Sequence, residues 1–191
     1  MVNIAESIER GELDAEIAVV VSSRENVAGM KRGRGLGFEP YVIRVKDFGD
    51  VDSFSGRIAE VLNGAKVDLV VQCGWLCYWK IPAEYEGKVM NIHPALLPAF
   101  GGKGMWGHHV HEAVLARGCK VSGCTVHFVT NEYDEGPIIV QRSCPVKETD
   151  DADTLAGRVF GQECLAYIEA IRFFAQGRLE VCEGIVRIKD E

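Results

Sequence analysis

Apolar runs rich in β-branched residues alternate with amphipathic stretches along this chain, and that alternation constrains the fold more than any other feature. Residues 17–22 run Ile-Ala-Val-Val-Val-Ser, a continuous pattern that reads as a strand buried on both faces. Residues 41–45, 67–72 and Val89–His93 read as further strands, followed by 124–130 and 138–143. Between them, residues 53–62 carry Phe54, Ile58 and Leu62 at four-residue steps, the spacing of one helix face. Residues 105–117 read as a helix that stops near Gly118. Asp150, Asp151 and Asp153 mark a helix N-terminus. The helix they open carries Phe160, Tyr167, Ile171 and Phe174 as its apolar stripe and ends at Gly177. Leu179–Cys182 and Ile185–Ile188, joined by Glu183-Gly184, read as a closing hairpin. Strands alternating with helices predict an α/β fold with a mostly parallel, doubly wound sheet covered on both faces.

Composition bounds the function classes. A chain of 191 residues with 47% apolar content supports one domain with a full core, here taken as 1–191. A net charge of −7 and a pI near 5.3 argue against a nucleic-acid partner, which favours basic surfaces. The seven cysteines lie mostly in apolar runs without a Cys-x-x-Cys, the pattern of reduced thiols in a cytoplasmic protein. No signal peptide and no bilayer-length apolar run are visible, so no membrane partner is expected.

The chemistry is concentrated in Asn91-Ile92-His93-Pro94 and Asp134-Glu135-Gly136-Pro137. An amide can donate to a developing oxyanion, an imidazole exchanges protons near neutral pH, and a carboxylate can orient the imidazole. The spacing Asn-x-His puts both side chains on one strand face, at the strand's C-terminal end, where open α/β sheets place ligands. Asp134 on its own reads as a turn or capping residue before Gly136-Pro137.

These residues resemble the folate-dependent formyltransferase family. The resemblance runs from about Asn3 to about Val181, and three blocks carry it. They are Asn91-Ile92-His93-Pro94-Ala95-Leu96-Leu97-Pro98-Ala99-Phe100, Ser122-Gly123-Cys124-Thr125-Val126-His127-Phe128-Val129, and Tyr133-Asp134-Glu135-Gly136-Pro137-Ile138-Ile139. The resemblance implies a formyltransferase fold, Rossmann-like in its N-terminal half. It implies 10-formyltetrahydrofolate as co-substrate, glycinamide ribonucleotide as acceptor, and no metal. By the same resemblance Asn91 and protonated His93 stabilise the oxyanion, while Asp134 sets the protonation of His93 and helps deprotonate the amine. Thr130, Asn131, Glu132, Tyr133 and Asp134 match the family's pterin-lining segment, as do Leu76, Cys77, Tyr78 and Trp79, with Asn91 beside the donor. Cys77 stands where the family usually has arginine. Trp75, Tyr78 and Trp79 read equally well as core and rim aromatics. Pro94, Gly102, Gln162 and Glu163 match acceptor-binding positions. The resemblance leaves as alternatives a formyltetrahydrofolate hydrolase, a formyltransferase for another amine, and a non-catalytic shortened homologue that binds folate or a partner; a homodimer is also compatible with it.

The family begins with a strand and a glycine-rich phosphate loop before its first helix. Residues 1–8 here read as that helix itself, so the chain is expected to be N-terminally shortened, with a gap or unpaired edge where a central strand would lie. An initiator upstream of Met1 is the favoured explanation. Gly102-x-Gly104-x-x-Gly107 matches a dinucleotide fingerprint, but no strand leads into it, so the glycines read as points of close backbone approach. His108, His109 and His111 lack the spacing of helical metal pairs and read as solvated or packing residues. Lys31-Arg32-x-Arg34 reads as a solvated helix end.

Overall fold

Asp50 opens the longest helix of the N-terminal region by accepting the Ser53 amide at 2.7 Å, satisfying one of the donors a helix start leaves free. That helix belongs to the first of two units, Met1–Val89 and Met90–Glu191, into which the computed structural model divides; residues 1–190 are described. The first unit runs α1 (Val2–Glu9), β1 (Val21–Ser22), α2 (Ala28–Gly35), β2 (Tyr41–Val42), α3 (Val51–Gly64) and β3 (Val70–Gln72). Helix α3 buries Phe54, Ile58 and Leu62 as expected, together with Ser55, Ala59 and Val61. Against it lie the chain segments that follow β3. Trp75 stacks on Phe54 at 6.4 Å, the Ser55 hydroxyl accepts the Lys80 amide at 2.8 Å, and the Tyr85 hydroxyl donates to Asn63 at 2.7 Å.

The strands of this unit are shorter than their composition predicts. β1 and β2 pair in parallel through only Val21↔Tyr41 and Ser22↔Val42, and Val45–Asp47 turns into a short 3-10 helix. β3 does not join that pair, and both β1 and β3 are half-buried. Propensity for extended backbone does not make a ladder without a neighbour to complete it. Of helix α2 only the basic end at Lys31-Arg32-x-Arg34 is marked in the sequence, because its three glycines each cost about 1 kcal/mol relative to alanine. Tertiary packing overrides that cost. Gly33 is buried so closely that a Cβ there would stand 3.0 Å from Pro40.

The second unit contains β4 (Val89–His93, which begins at the unit boundary), α4 (His108–Ala116), β5 (Val121–Phe128), β6 (Ile138–Pro145), α5 (Ala152–Ala175), β7 (Leu179–Cys182) and β8 (Ile185–Ile188). Here β4 pairs with β5, β5 with β6 and β7 with β8, all antiparallel. With the parallel pair of β1 and β2 in the first unit, the fold mixes both kinds of pairing and has less parallel pairing than strand–helix alternation predicts. No helix lies between β5 and β6, so they form a hairpin rather than a crossover. β5 is buried from Ser122 to Phe128, with α5 packed against it.

Asp151 caps α5 reciprocally with Thr154, and Asp150 behind it takes both guanidinium nitrogens of Arg158 at 2.6 and 2.7 Å. The buried residues of α5 are Leu155, Val159, Ala166, Tyr167, Ile168, Ala170 and Ile171. Phe160, assigned to the apolar stripe from sequence, is 61% exposed, because it lies one position beyond Val159 and turns outward. Glu183 and Gly184 both adopt positive φ, the geometry of a tight hairpin turn. No helix among the described residues is long and apolar enough to cross a membrane.

Candidate active site

Strand β4 carries Asn91 and His93 on one face, and its ladder with β5 sets His127 opposite Asn91 and Thr125 opposite His93. A bulge between Val126 and His127 breaks the β5–β6 register beside this site. The His127 Nδ1–H donates to the Phe128 carbonyl at 2.8 Å. Nε2 faces both the Asn91 Nδ2 amide at 3.4 Å and Asp134 Oδ1 at 3.7 Å: in the neutral ring it accepts from Asn91, and in the protonated ring its N–H points to the carboxylate. One N–H of Asn91 is thereby held, and the other is available to a ligand.

His93 is almost fully buried, and its Nε2–H donates to the Phe100 carbonyl at 2.7 Å. Its exchangeable nitrogen is therefore Nδ1, which faces Asp134 Oδ2 at 3.5 Å. Asp134 reaches this position with φ of 57°, a left-handed backbone uncommon outside glycine. Its Oδ2 accepts the Gly102 amide at 2.9 Å, and its Oδ1 lies 3.7 Å from His127 Nε2. Asn91, His93 and Asp134 thus converge, with His127 between the first and the last.

Burial pushes the His93 imidazole below its ordinary value, against the pull of Asp134 and the Phe100 carbonyl. Burial also acts against ionisation of Asp134, but His127, His93 and the Gly102 amide outweigh it and hold the carboxyl low. The resting state is an anionic Asp134 beside a neutral His93. The Gly102 amide supports the carboxylate whatever the charge of His93, and the two groups titrate as a pair.

The other residues singled out in the sequence fall into groups. Thr130, Asn131, Glu132 and Tyr133 are exposed on the loop leading to Asp134, and the Thr130 hydroxyl bonds Glu132 in a local turn. Pro94 and Gly102 lie half-buried in the loop after β4. Gln162 and Glu163 are half-buried on α5, where burial pushes the Glu163 carboxyl up to about 7. Glu163 adds to the burial that raises the Cys124 thiol to about 12. Leu76, Cys77, Tyr78 and Trp79 belong to the first unit. Leu76 and Tyr78 are exposed and Cys77 is half-buried, whereas Trp79 is buried and is a core residue.

His108 and His109 are exposed and paired with Asp153 and Glu112, while His111 is buried. Among the described residues no group of His, Cys, Asp and Glu could hold a metal ion. Sequence reasoning missed the Phe100 carbonyl as the partner of His93, and it singled out Gly102 for the acceptor rather than for its amide bond to Asp134, which no side-chain pattern announces.

Comparison with known proteins gives a consistent set of relatives. A family model described as formyl transferase matches residues 1–171. Phosphoribosylglycinamide formyltransferase (chloroplastic) of Vigna unguiculata is 36% identical over 182 residues, covering 93% of this chain. The chain spans 57% of that relative's length. The phosphoribosylglycinamide formyltransferase of Escherichia coli (strain K12) is 30% identical over 183 residues, covering 95% of this chain and 84% of the relative. The crystal structure of glycinamide ribonucleotide transformylase 1 from Symbiobacterium toebii superimposes with a TM-score of 0.91 at 37% identity, over 98% of this chain and 87% of the other.

Proposed function

The chain belongs to the formyl transferase family, and on that premise we propose that it transfers the formyl group of 10-formyltetrahydrofolate to the amine of glycinamide ribonucleotide, a step of purine biosynthesis. The observation that carries the reading is the cluster of Asn91, His93 and Asp134 joined through His127. The relatives named for this activity support the choice of substrates.

In this reading the amine nitrogen attacks the formyl carbon, and the carbonyl oxygen becomes an oxyanion. The free N–H of Asn91 donates to it, a contribution typically worth 10²–10³ in rate. The amine's surplus proton passes to His93 Nδ1, directly or through one water. Asp134 beside that nitrogen stabilises the imidazolium that forms. Because Nε2–H is committed to the Phe100 carbonyl, His93 acts on the oxyanion through its charge rather than through a second hydrogen bond. Collapse of the intermediate breaks the bond from the formyl carbon to the folate nitrogen, which takes the proton from Nδ1.

The test is steady-state turnover of the purified chain with both substrates, following folate absorbance. The expected outcome is tetrahydrofolate release that requires the ribonucleotide. His93→Ala should lower it by roughly 10²–10⁴-fold with circular dichroism unchanged. Release at the same rate without any amine would make the chain a hydrolase, and no release would refute the reading.

A further inference from the structure

Three adjacent strands set His93, Thr125 and Gln141 in one row, His93 opposite Thr125 and Thr125 opposite Gln141. Directly opposed residues of antiparallel strands share a face of the sheet. Thr125 is fully buried, and its hydroxyl has one donor and two acceptor positions to fill. All are filled. It donates to the Ala95 carbonyl at 2.7 Å, accepts the Leu97 amide at 3.0 Å and accepts Gln141 Nε2 at 3.0 Å. The second N–H of Gln141 Nε2 donates to the Leu97 carbonyl at 2.9 Å. Both backbone groups of the buried Leu97 are thus bonded by side chains of β5 and β6 rather than by secondary structure.

The turn held in this way continues directly into the cluster. A Cβ on Gly101 would stand 2.5 Å from Leu97 Cδ2 and 3.4 Å from the Asp134 Cβ, so Leu97 packs against the backbone at Gly101. The residues on either side of Gly101 are the two that hold the chemistry. The Phe100 carbonyl accepts the His93 Nε2–H, and the Gly102 amide donates to Asp134. A displacement of Leu97 is passed to both contacts, because packed interiors transmit strain rather than absorb it.

We propose that Thr125 and Gln141 are positioning residues for formyl transfer. They lock the 95–102 turn so that the Phe100 carbonyl keeps the proton of His93 on Nε2 and the Gly102 amide keeps Asp134 facing Nδ1. The role rests on the function proposed above. It differs from a purely structural one in that it acts on the titration of His93.

The experiment compares Thr125→Val, which keeps the shape and removes the hydroxyl, with Thr125→Ser, which restores it, and with Gln141→Leu. His93 is titrated by NMR through its imidazole C–H signals in the free protein, and kcat and KM are measured separately. In Thr125→Val the withdrawn Phe100 carbonyl no longer favours the imidazolium, so the His93 titration moves to lower pH. The turnover number falls on the order of 10²-fold, as a misplacement of about 1 Å can produce, with KM little changed. Thr125→Ser returns both readouts towards the parent. Gln141→Leu moves them in the same direction as valine. Because Gln141 is exposed, that variant carries the test if Thr125→Val does not fold. An unmoved His93 titration in a folded Thr125→Val or Gln141→Leu protein would overturn the proposal, and so would a serine variant that behaves like valine. An absence of turnover in the parent chain would count against the proposed function alone, since the NMR titration needs no substrate.

Discussion

Replacing Gly136 with alanine tests whether the backbone beside the cluster is as tightly fixed as its contacts indicate. A Cβ at Gly136 would stand 1.7 Å from the Phe128 carbonyl oxygen and 2.8 Å from its carbon. Since Cβ contacts under 3.0 Å essentially do not occur, the two backbones must part by at least 3.0 − 1.7 = 1.3 Å. Neither is a flexible side chain that could swing aside. The Phe128 carbonyl is the acceptor that holds His127 Nδ1–H, and the Phe128 amide bonds the Pro137 carbonyl at 2.9 Å. The displacement therefore releases the ring that links Asn91 to Asp134, two residues from Gly136 itself.

Overpacking of this kind costs about 1–3 kcal/mol. At roughly 2–4 °C per kcal/mol for a chain of this size, melting falls by roughly 2–12 °C. Misplacement by about 1 Å lowers turnover on the order of 10²-fold. The assay is thermal melting with kcat in the same preparation. Gly157→Ala serves as the control, because a Cβ there meets nothing within 4 Å and α5 gains roughly 0.5–1 kcal/mol from losing a glycine. A Gly136→Ala protein with the parent's melting temperature and turnover would refute the reasoning.

The remaining predictions concern α5. Arg158 holds Asp150 well below the usual carboxylate range, helped by the Lys147 amide. A depressed folded pKa stabilises the protein above the unfolded value, about 3.9, and that stabilisation drains away as pH falls through the folded one. The melting gap between the parent and Asp150→Asn should therefore be full near neutrality and shrink below about pH 4. In urea unfolding, Leu155→Ala should cost about 2–5 kcal/mol. Phe160→Ser should stay within about 0.5 kcal/mol, as exposed positions do. Equal losses at the two positions would contradict the observed orientation of the helix.

The order and type of the long elements were legible in the sequence because the signals that define them are local. The bounds of β4 match the run Val89–His93, the capped start of α5 follows from its aspartates, and the hairpin turn follows from Glu183-Gly184. The pairing of Asn91 with His93 on one face was legible too, since a strand's period of two fixes it. Other features depended on neighbours distant in sequence. The extent of β1 and β2 depended on how many rungs each could share, and α2 formed through packing at Gly33 that offsets its glycine content. The sequence placed Phe160 inward because a helical period leaves one residue of ambiguity at the edge of a stripe, and only packing against β5 and β6 resolved it.

At the site, the sequence singled out Asn91, His93 and Asp134, and the structure brings them together. Only the tertiary structure decided which nitrogen of His93 is held and which faces Asp134, because the deciding group is the Phe100 carbonyl. The same holds for the ionisation of Asp134, supported by the Gly102 amide, and for the turn anchored by Thr125 and Gln141. Backbone donors and acceptors are the same in every residue but proline, so a sequence cannot say where they point until the chain is folded.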